Sequence, residues 1–148
     1  MTIGEEIKQK KFSSEYEKAL INLIFTSNWL SCMQQRFFKP FGITPQQYNV
    51  MRILKGQFPG PASVGMVQER MLDRSSNITR LVDKLIEKKL VTRCENPNNR
   101  RMQELRITDS GMAFLENISN SAPLHQYFET LTEAEASLFN EMLDRLRG

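Results

Sequence analysis

The chain has 148 residues, a formal net charge of +3, and 40% hydrophobic and 25% charged residues. This length and composition are typical of a globular protein with a single core. The apolar clusters are too short to span a bilayer, and the N-terminal MTIGEEIKQKK has no apolar segment like that of a secretory signal. We therefore predict one domain over residues 1–148, located in the cytoplasm and without a membrane partner.

Few residues could hold a metal or form a disulfide framework. The chain has two cysteines, Cys32 and Cys94, and one histidine, His125. A structural zinc site needs four such ligands, and the two cysteines do not lie at a CxxC spacing. The sequence also lacks a recognisable nucleophile–base pair and a phosphate-binding glycine loop. We predict no metal, no cofactor and no enzymatic activity.

The positive charge is concentrated in one segment. Residues 74–106 contain nine basic and four acidic side chains, a net +5, which leaves −2 for the remainder of a chain whose total is +3. A basic patch confined to one segment is typical of a protein that binds nucleic acid. The alternative is chance clustering on a solvated face.

The N-terminal third predicts an arm followed by one long helix. The first ten or so residues are charged without periodicity, which indicates a loose arm. Residues 13–39 contain no internal proline or glycine and carry apolar side chains on most faces of a helix. A helix of this kind is buried on most sides, either in a subunit interface or at the centre of a monomer.

Three shorter helices follow. Pro40 ends the long helix, and Thr44-Pro45 begins the next, with Thr44 as N-cap. After the loop GQFPGP, Ser63 begins a short third helix over about residues 64–71. A fourth helix is predicted within the stretch RSSNITRLVDKLIEKK at residues 74–89, with Ser75 as the expected N-cap. Two helices joined by so tight a turn predict a helix-turn-helix.

The fourth helix has two faces. Ile78, Leu81, Val82 and Leu85 form an apolar stripe at helical spacing. The opposite face is polar and basic, so it could lie in a DNA groove or simply face solvent.

After Lys89 the sequence pattern changes from helical to extended. Two short β-compatible runs, at residues 91–94 and 103–107, flank ENPNNRR, which is rich in turn-forming residues and ends in two arginines. This pattern predicts a β-hairpin with a basic tip, the wing. Thr108 begins a further helix that Pro123 breaks or kinks, and Thr132-x-x-Glu135 is the capping box of the last helix.

In this order the elements resemble the MarR family of bacterial transcription regulators. The motifs that carry the resemblance are GITPQQYNVMRIL, SSNITRLVDKL, LVTR, NPNNRR and ITDSG, at residues 42–54, 75–85, 90–93, 96–101 and 107–111. The resemblance implies a mainly α fold with a small β-hairpin wing. Residues 42–107 would form the winged helix-turn-helix lobe, and residues 13–39 and 108–147 the dimerisation helices. It also implies a homodimer that binds double-stranded DNA, most often a repressor released by a small-molecule effector or by cysteine oxidation.

Two positions depart from the family pattern. Asn99 replaces an aspartate that tends to orient the arginines of the wing. Lys89 replaces a glycine at the end of the fourth helix, where a left-handed conformation costs a residue other than glycine about 1 kcal/mol. Either Lys89 carries that strain or the helix ends differently.

The predicted DNA contacts divide into base-reading and phosphate-binding residues. Arginine recognises guanine and asparagine recognises adenine through paired hydrogen bonds, and Arg80 is the foremost candidate for base reading. Phosphate contacts position a protein without specifying sequence, and Arg100 or Arg101 would enter the minor groove. The candidates are Asn77, Thr79, Arg80 and Lys84 in the major groove, Ser75, Ser76 and Lys84 on phosphates, and Arg100 and Arg101 in the wing.

Several residues have an alternative structural explanation. Asp83 would orient Arg80 or form only an intrahelical pair, whereas Arg93 and Arg106 could be structural partners within the hairpin. Cys32 and Cys94 are candidate redox sensors, but buried cysteines are mostly inert. Four aromatic residues could line an effector pocket, although core packing explains each of them as well: Trp29, Phe37, Phe38 and Phe58. The competing function is a winged-helix module that binds proteins and not DNA.

Overall fold

The computed structural model describes residues 1–121 and 124–148. These residues form seven α-helices and a three-stranded antiparallel sheet in the order β1-β3-β2. The helices are α1 (Ile3–Glu6), α2 (Glu15–Phe38), α3 (Pro45–Gln57), α4 (Val64–Arg70), α5 (Ile78–Glu87), α6 (Asp109–Ser121) and α7 (Glu133–Arg147). The strands are β1 (Ala62–Ser63), β2 (Val91–Asn96) and β3 (Asn99–Ile107). The predicted kink at Pro123 lies outside the described residues.

The long first helix is confirmed as α2, with boundaries set by local chemistry. Ser14 caps its start by accepting a hydrogen bond from the Glu17 N–H at 3.1 Å. Its end passes into a single 3₁₀ turn containing Pro40, and Gly42 then adopts a left-handed φ of +70°. Glycine tolerates this conformation because it lacks a Cβ atom.

The prediction of a loose N-terminal arm is wrong in part. Residues 3–6 form the short helix α1, whose first turn is closed by a capping box between Thr2 and Glu5. The Ile3 side chain is buried, with 6% of its surface exposed. The sequence pattern missed this turn because four residues are too few to show helical periodicity.

The main core lies between the helices α3 to α5 and the sheet, which together we call the winged-helix lobe. Buried side chains from each of these elements meet there, and Val50, Leu54, Val67, Val82 and Leu105 are each at most 1% exposed. The N-cap predicted at Thr44 is confirmed, and the structure adds Gln47 as the second member of a capping box. Ser63 caps α4 as predicted by accepting the Met66 N–H at 3.1 Å.

The structure contains a strand that the sequence analysis did not predict. Ala62 and Ser63 form β1 and pair with Leu105 and Glu104 of β3. Two residues cannot display an alternating pattern, so this strand has no periodic signal in the sequence. Its pairing joins the start of α4 to the hairpin.

The terminal helices α2 and α7 keep large apolar side chains on their surfaces. No helix among residues 1–121 and 124–148 is long and apolar enough to cross a membrane. The capping box predicted at the start of α7 is present between Thr132 and Glu135. The exposed apolar residues of the two helices are Tyr16, Leu20, Leu23, Ile24, Phe25, Trp29, Leu138, Phe139, Met142 and Leu146.

Candidate nucleic-acid interface

The fourth predicted helix, α5, begins two residues later than expected. Asn77 is its N-cap and accepts the Arg80 N–H through Oδ1 at 3.1 Å. The assignment of Ser75 as the cap is therefore wrong. The reason is local, because Asp73 Oδ1 accepts hydrogen bonds from both the N–H and the hydroxyl of Ser75, at 3.0 and 2.5 Å. These bonds hold Ser75 in a turn before the helix and lower the pKa of Asp73 from its ordinary 3.8.

The two faces predicted for α5 are confirmed. Ile78, Val82 and Leu85 are buried against the main core. Thr79, Arg80 and Lys84 are exposed on the opposite side, and we call these three residues the recognition face. The Lys84 Nζ atom lies 3.2 Å from a Glu87 carboxylate oxygen, whereas no ion pair involves Arg80 within the described residues.

Asp83 connects α5 to the wing, so its expected pairing with Arg80 is wrong. Its Oδ1 atom accepts a hydrogen bond from Arg93 on β2 at 2.6 Å. The Arg93 side chain is only 24% exposed, and its Nε atom is buried without a partner among the described residues. This confirms a structural role for Arg93 and leaves Arg80 free to face outward.

The hairpin has an irregular tip. Pairing is regular from Val91–Ile107 to Glu95–Gln103, and the next pair is Asn96–Asn99. The offset leaves residues 100–102 of β3 without a counterpart on β2, and we call this irregular, bulge-like segment the bulge. Bulges change the direction of side chains, and here they affect both predicted wing arginines.

Arg106, near the base of the hairpin, has a structural role, as predicted. Arg106 donates to the Pro59 carbonyl at 2.8 Å and lies 3.5 Å from a Glu104 carboxylate oxygen. By contrast, Arg100 and Arg101 are exposed and form no ion pair within the described residues. The two arginines at the tip therefore remain available to an external partner.

Lys89 adopts the conformation that the family glycine would have. Its φ is +60°. The Lys89 N–H donates to the Ile86 carbonyl at 2.8 Å, and the Leu90 N–H donates to the Leu85 carbonyl at 3.0 Å. This pair of bonds is a Schellman motif, in which a left-handed residue ends the helix. Lys89 therefore carries the strain of a left-handed residue other than glycine, and the motif leads the chain directly into β2.

Ser75 and Ser76 lie on the turn before the recognition face. Ser76 is the less accessible of the two, since its hydroxyl oxygen is buried and has no hydrogen-bond partner among the described residues. Sequence reasoning missed the two side chains that fix this turn from a distance. Asn49 Oδ1 accepts the Leu72 N–H at 2.9 Å, and Gln68 Nε2 donates to the Arg74 carbonyl at 2.6 Å.

A cavity of about 700 Å³ lies between α2, α3, α6 and the turn at residues 71–73. Phe38 is the only one of the four predicted pocket aromatics among its lining residues. Trp29 packs edge-to-face on Tyr127, Phe37 packs on Phe38, and Phe58 is exposed on the loop after α3. The polar lining residues include Gln34, Asn49, Arg52, Asp73 and His125.

The two cysteines are free thiols on the surface of the single chain. Cys32 lies on α2 and Cys94 lies on β2, opposite Glu104 in the sheet. No group of three His, Cys, Asp or Glu side chains that could hold a metal ion occurs among the residues described.

Two helices joined by a tight turn, followed by an antiparallel hairpin, define the winged helix-turn-helix class. The family model described as "MarR family" matches residues 41–102. The chain is 31% identical over 109 residues to the HTH-type transcriptional regulator MhqR of Bacillus subtilis. The matched segment covers 71% of this chain and 72% of that protein. The chain is 34% identical over 96 residues to the HTH-type transcriptional repressor MdtR of the same organism, covering 64% and 61%. The chain belongs to the MarR family and is a transcriptional regulator.

Solved structures agree with this assignment. A MarR transcription factor from Planctomyces limnophilus superposes with a TM-score of 0.69 at 28% identity, covering 93% of this chain and 98% of that one. A mutant MarR from Escherichia coli complexed with operator DNA gives a TM-score of 0.76 at 20% identity, covering 93% and 99%. The second similarity supports the fold alone.

Proposed function

We propose that the protein is a sequence-specific DNA-binding repressor that acts as a homodimer on a pseudo-palindromic operator. The proposal rests on the recognition face, which lies beside a wing whose two tip arginines form no ion pair among the described residues. Asp83 and Arg93 join these two elements at 2.6 Å, so they would approach one duplex as a unit. In this class the corresponding helix lies in the major groove.

Within the recognition face, Arg80 is the proposed base-reading residue. Its guanidinium has no competing carboxylate among the described residues and could bind guanine O6 and N7 together. Lys84 and Thr79 would contact phosphates or base edges nearby, and Ser75 would bind a phosphate from the preceding turn. Asn77 would contribute mainly by fixing the first turn of α5, because its Oδ1 atom is the helix cap.

The wing would supply a second, sequence-tolerant contact. Arg100 and Arg101 lie in the bulge at the tip, and an arginine inserted into a narrow minor groove gains from the negative potential there. Each guanidinium that replaces a counterion on a phosphate also makes binding more sensitive to salt.

The homodimer would be formed by the exposed apolar residues of α2 and α7. Large side chains such as Ile24, Leu138, Met142 and Leu146 are 52–68% exposed in the single chain. An apolar surface that extends along two helices is typical of a subunit interface. Two-fold symmetry would then place two recognition helices about one turn of DNA apart.

The cavity next to the turn at residues 71–73 is the proposed effector site. It has both apolar walls and polar groups, the composition common in small-molecule sites. An effector bound there would release DNA only if it has different affinities for the DNA-binding and the free geometries of the dimer. DNA binding by BpsR of Bordetella bronchiseptica, whose fold is similar at a TM-score of 0.73 and 20% identity, is regulated by 6-hydroxynicotinic acid.

The test compares binding of wild type, Arg80→Ala and Lys84→Ala to the duplex upstream of the coding region and to a scrambled duplex. We expect Arg80→Ala to lose about tenfold or more for the upstream duplex and little for the scrambled one, because it removes base recognition. Lys84→Ala should weaken both equally and reduce the slope of log affinity against log salt by about 1 per protomer.

Lys10→Ala is the matched control, since it removes the same charge far along the chain from the recognition face. Equal and weak binding of wild type to both duplexes would refute sequence-specific recognition. Unchanged binding after substitution of Arg80 and of both wing arginines would favour a winged-helix module that binds protein.

A further inference from the structure

The tip of the wing is held together by asparagine side chains. Asn96 Oδ1 accepts the N–H groups of Asn98 and Asn99, at 2.8 and 3.1 Å. Its Nδ2 atom donates to Glu104 Oε1 across the hairpin at 2.8 Å. Asn99 Oδ1 in turn accepts the Arg101 N–H at 3.2 Å. The last of these bonds leads directly into the bulge that contains the arginines.

Asn96 is half-buried, and its side chain uses both hydrogen-bonding functions of the amide. The oxygen shapes the turn, while the nitrogen anchors that turn to the middle of β3. Aspartate has the same size but accepts only, so it could keep the turn bonds and would lose the bond to Glu104. It would also place a second carboxylate against that of Glu104.

Charge is distributed unevenly along the hairpin. Arg93 and Arg106 lie near carboxylates of Asp83 and Glu104. At the tip, by contrast, neutral amides take the place of acidic partners, and neither Arg100 nor Arg101 is in an ion pair within the described residues. Both arginines are therefore exposed on a shaped loop without a carboxylate partner among the described residues.

We infer that Asn96 is the positioning residue of the wing. It orders the turn and the bulge through its bonds to the backbone and Glu104, and in this way presents Arg100 and Arg101 to DNA without neutralising either charge. The inference rests on the proposed function, because it assumes that the wing binds DNA. It assigns to that function one residue, whose side-chain amide must both accept and donate hydrogen bonds.

A swap of hydrogen-bond polarity tests this role. In Asn96→Asp the bond to Glu104 is lost, and in the double variant Asn96→Asp with Glu104→Gln the glutamine nitrogen can donate back to the aspartate. The double variant has the same net charge as wild type. Asn98→Asp adds the same charge as Asn96→Asp next to the tip while leaving the bond between Asn96 and Glu104 intact, so it is the matched control.

The first readout is affinity for the upstream duplex, by fluorescence anisotropy at fixed salt. We expect Asn96→Asp to bind about tenfold more weakly than Asn98→Asp, because a hydrogen bond to a charged group is lost in addition to the charge effect. The double variant should recover to within about threefold of wild type, the single Glu104→Gln variant should bind nearly as wild type, and Arg100→Ala and Arg101→Ala should weaken binding.

The second readout does not need DNA. Amide ¹⁵N relaxation should show Arg100 and Arg101 well ordered in wild type and the Asn98→Asp control, mobile in Asn96→Asp, and ordered again in the double variant. Equal affinities of Asn96→Asp and Asn98→Asp, or no recovery in the double variant, would overturn the role of Asn96 while the proposed function stands. Absence of DNA binding by wild type would overturn both.

Discussion

Substituting Gly111 with alanine should destabilise the protein, although alanine is the better helix former. Gly111 lies in the first turn of α6, where this helix meets the end of the α5–β2 connection. A Cβ atom there would lie 2.3 Å from the Leu90 carbonyl oxygen and 2.7 Å from Ile107 Cγ1. Ordinary contacts between carbon atoms are about 3.5–4.0 Å, so the backbone of Leu90 would have to move.

Three free-energy terms decide the result, two of them destabilising and one stabilising. Overpacking of a tight site costs about 1–3 kcal/mol, and moving Leu90 also lengthens the hydrogen bond that its carbonyl accepts from the Thr108 N–H at 3.1 Å, which is worth about 1 kcal/mol. The higher helix propensity of alanine returns about 1 kcal/mol. The expected net loss is about 1–3 kcal/mol in the free energy of unfolding.

Urea unfolding followed by circular dichroism measures this loss, at one fixed protein concentration because dimerisation would contribute to apparent stability. Gly56→Ala is the control, since Gly56 lies in α3 and a Cβ atom added there would meet no packed neighbour within 4 Å among the described residues. That substitution should be neutral or stabilise by up to about 1 kcal/mol. An increase in the urea midpoint for Gly111→Ala would refute the argument from close approach.

Three further results are expected. Lys89→Gly should raise the free energy of unfolding by about 1 kcal/mol in the same urea assay, because glycine adopts the left-handed φ without strain, and a lower midpoint would contradict this. Hydrogen bonds from Thr132 lower the pKa of Glu135 below its ordinary 4.5, so its contribution to stability is present above that value and is lost as the pH falls through the lowered pKa. Urea midpoints between pH 7 and pH 3 should therefore fall more for wild type than for Glu135→Gln, and parallel curves would exclude this contribution. Leu146→Glu should convert dimer into monomer in light scattering, whereas an unchanged mass would place the interface elsewhere.

The fold was predictable where periodicity and capping residues agree. The stripe of α5, the N-cap at Thr44, the capping box at Thr132 and the hairpin all follow from residues close together in sequence. The strand β1 was missed because two residues show no alternation, and it exists through pairing with Leu105 and Glu104. Long-range pairing of this kind gives no local signal.

The candidate site shows the same division between local and distant interactions. The recognition face followed from the helical period. The cap at Asn77 was missed because the Ser75 hydroxyl donates a hydrogen bond to Asp73 and does not cap the helix. The D-x-S pattern of an Asx turn could have revealed that competition. The pair between Asp83 and Arg93 joins residues on different elements, and sequence proximity favoured Arg80 as the partner instead.

We propose that this transcriptional regulator recognises a DNA sequence with α5 and binds the phosphate backbone with its basic side chains. The most direct measurement is fluorescence anisotropy of the wild-type protein with the duplex upstream of its coding region and with a scrambled duplex, over a series of salt concentrations. We predict binding to the upstream duplex that is tighter by about a thousandfold or more, and a steep fall of affinity with salt for both. Equal, weak and salt-insensitive binding to the two duplexes would contradict this mode of DNA recognition.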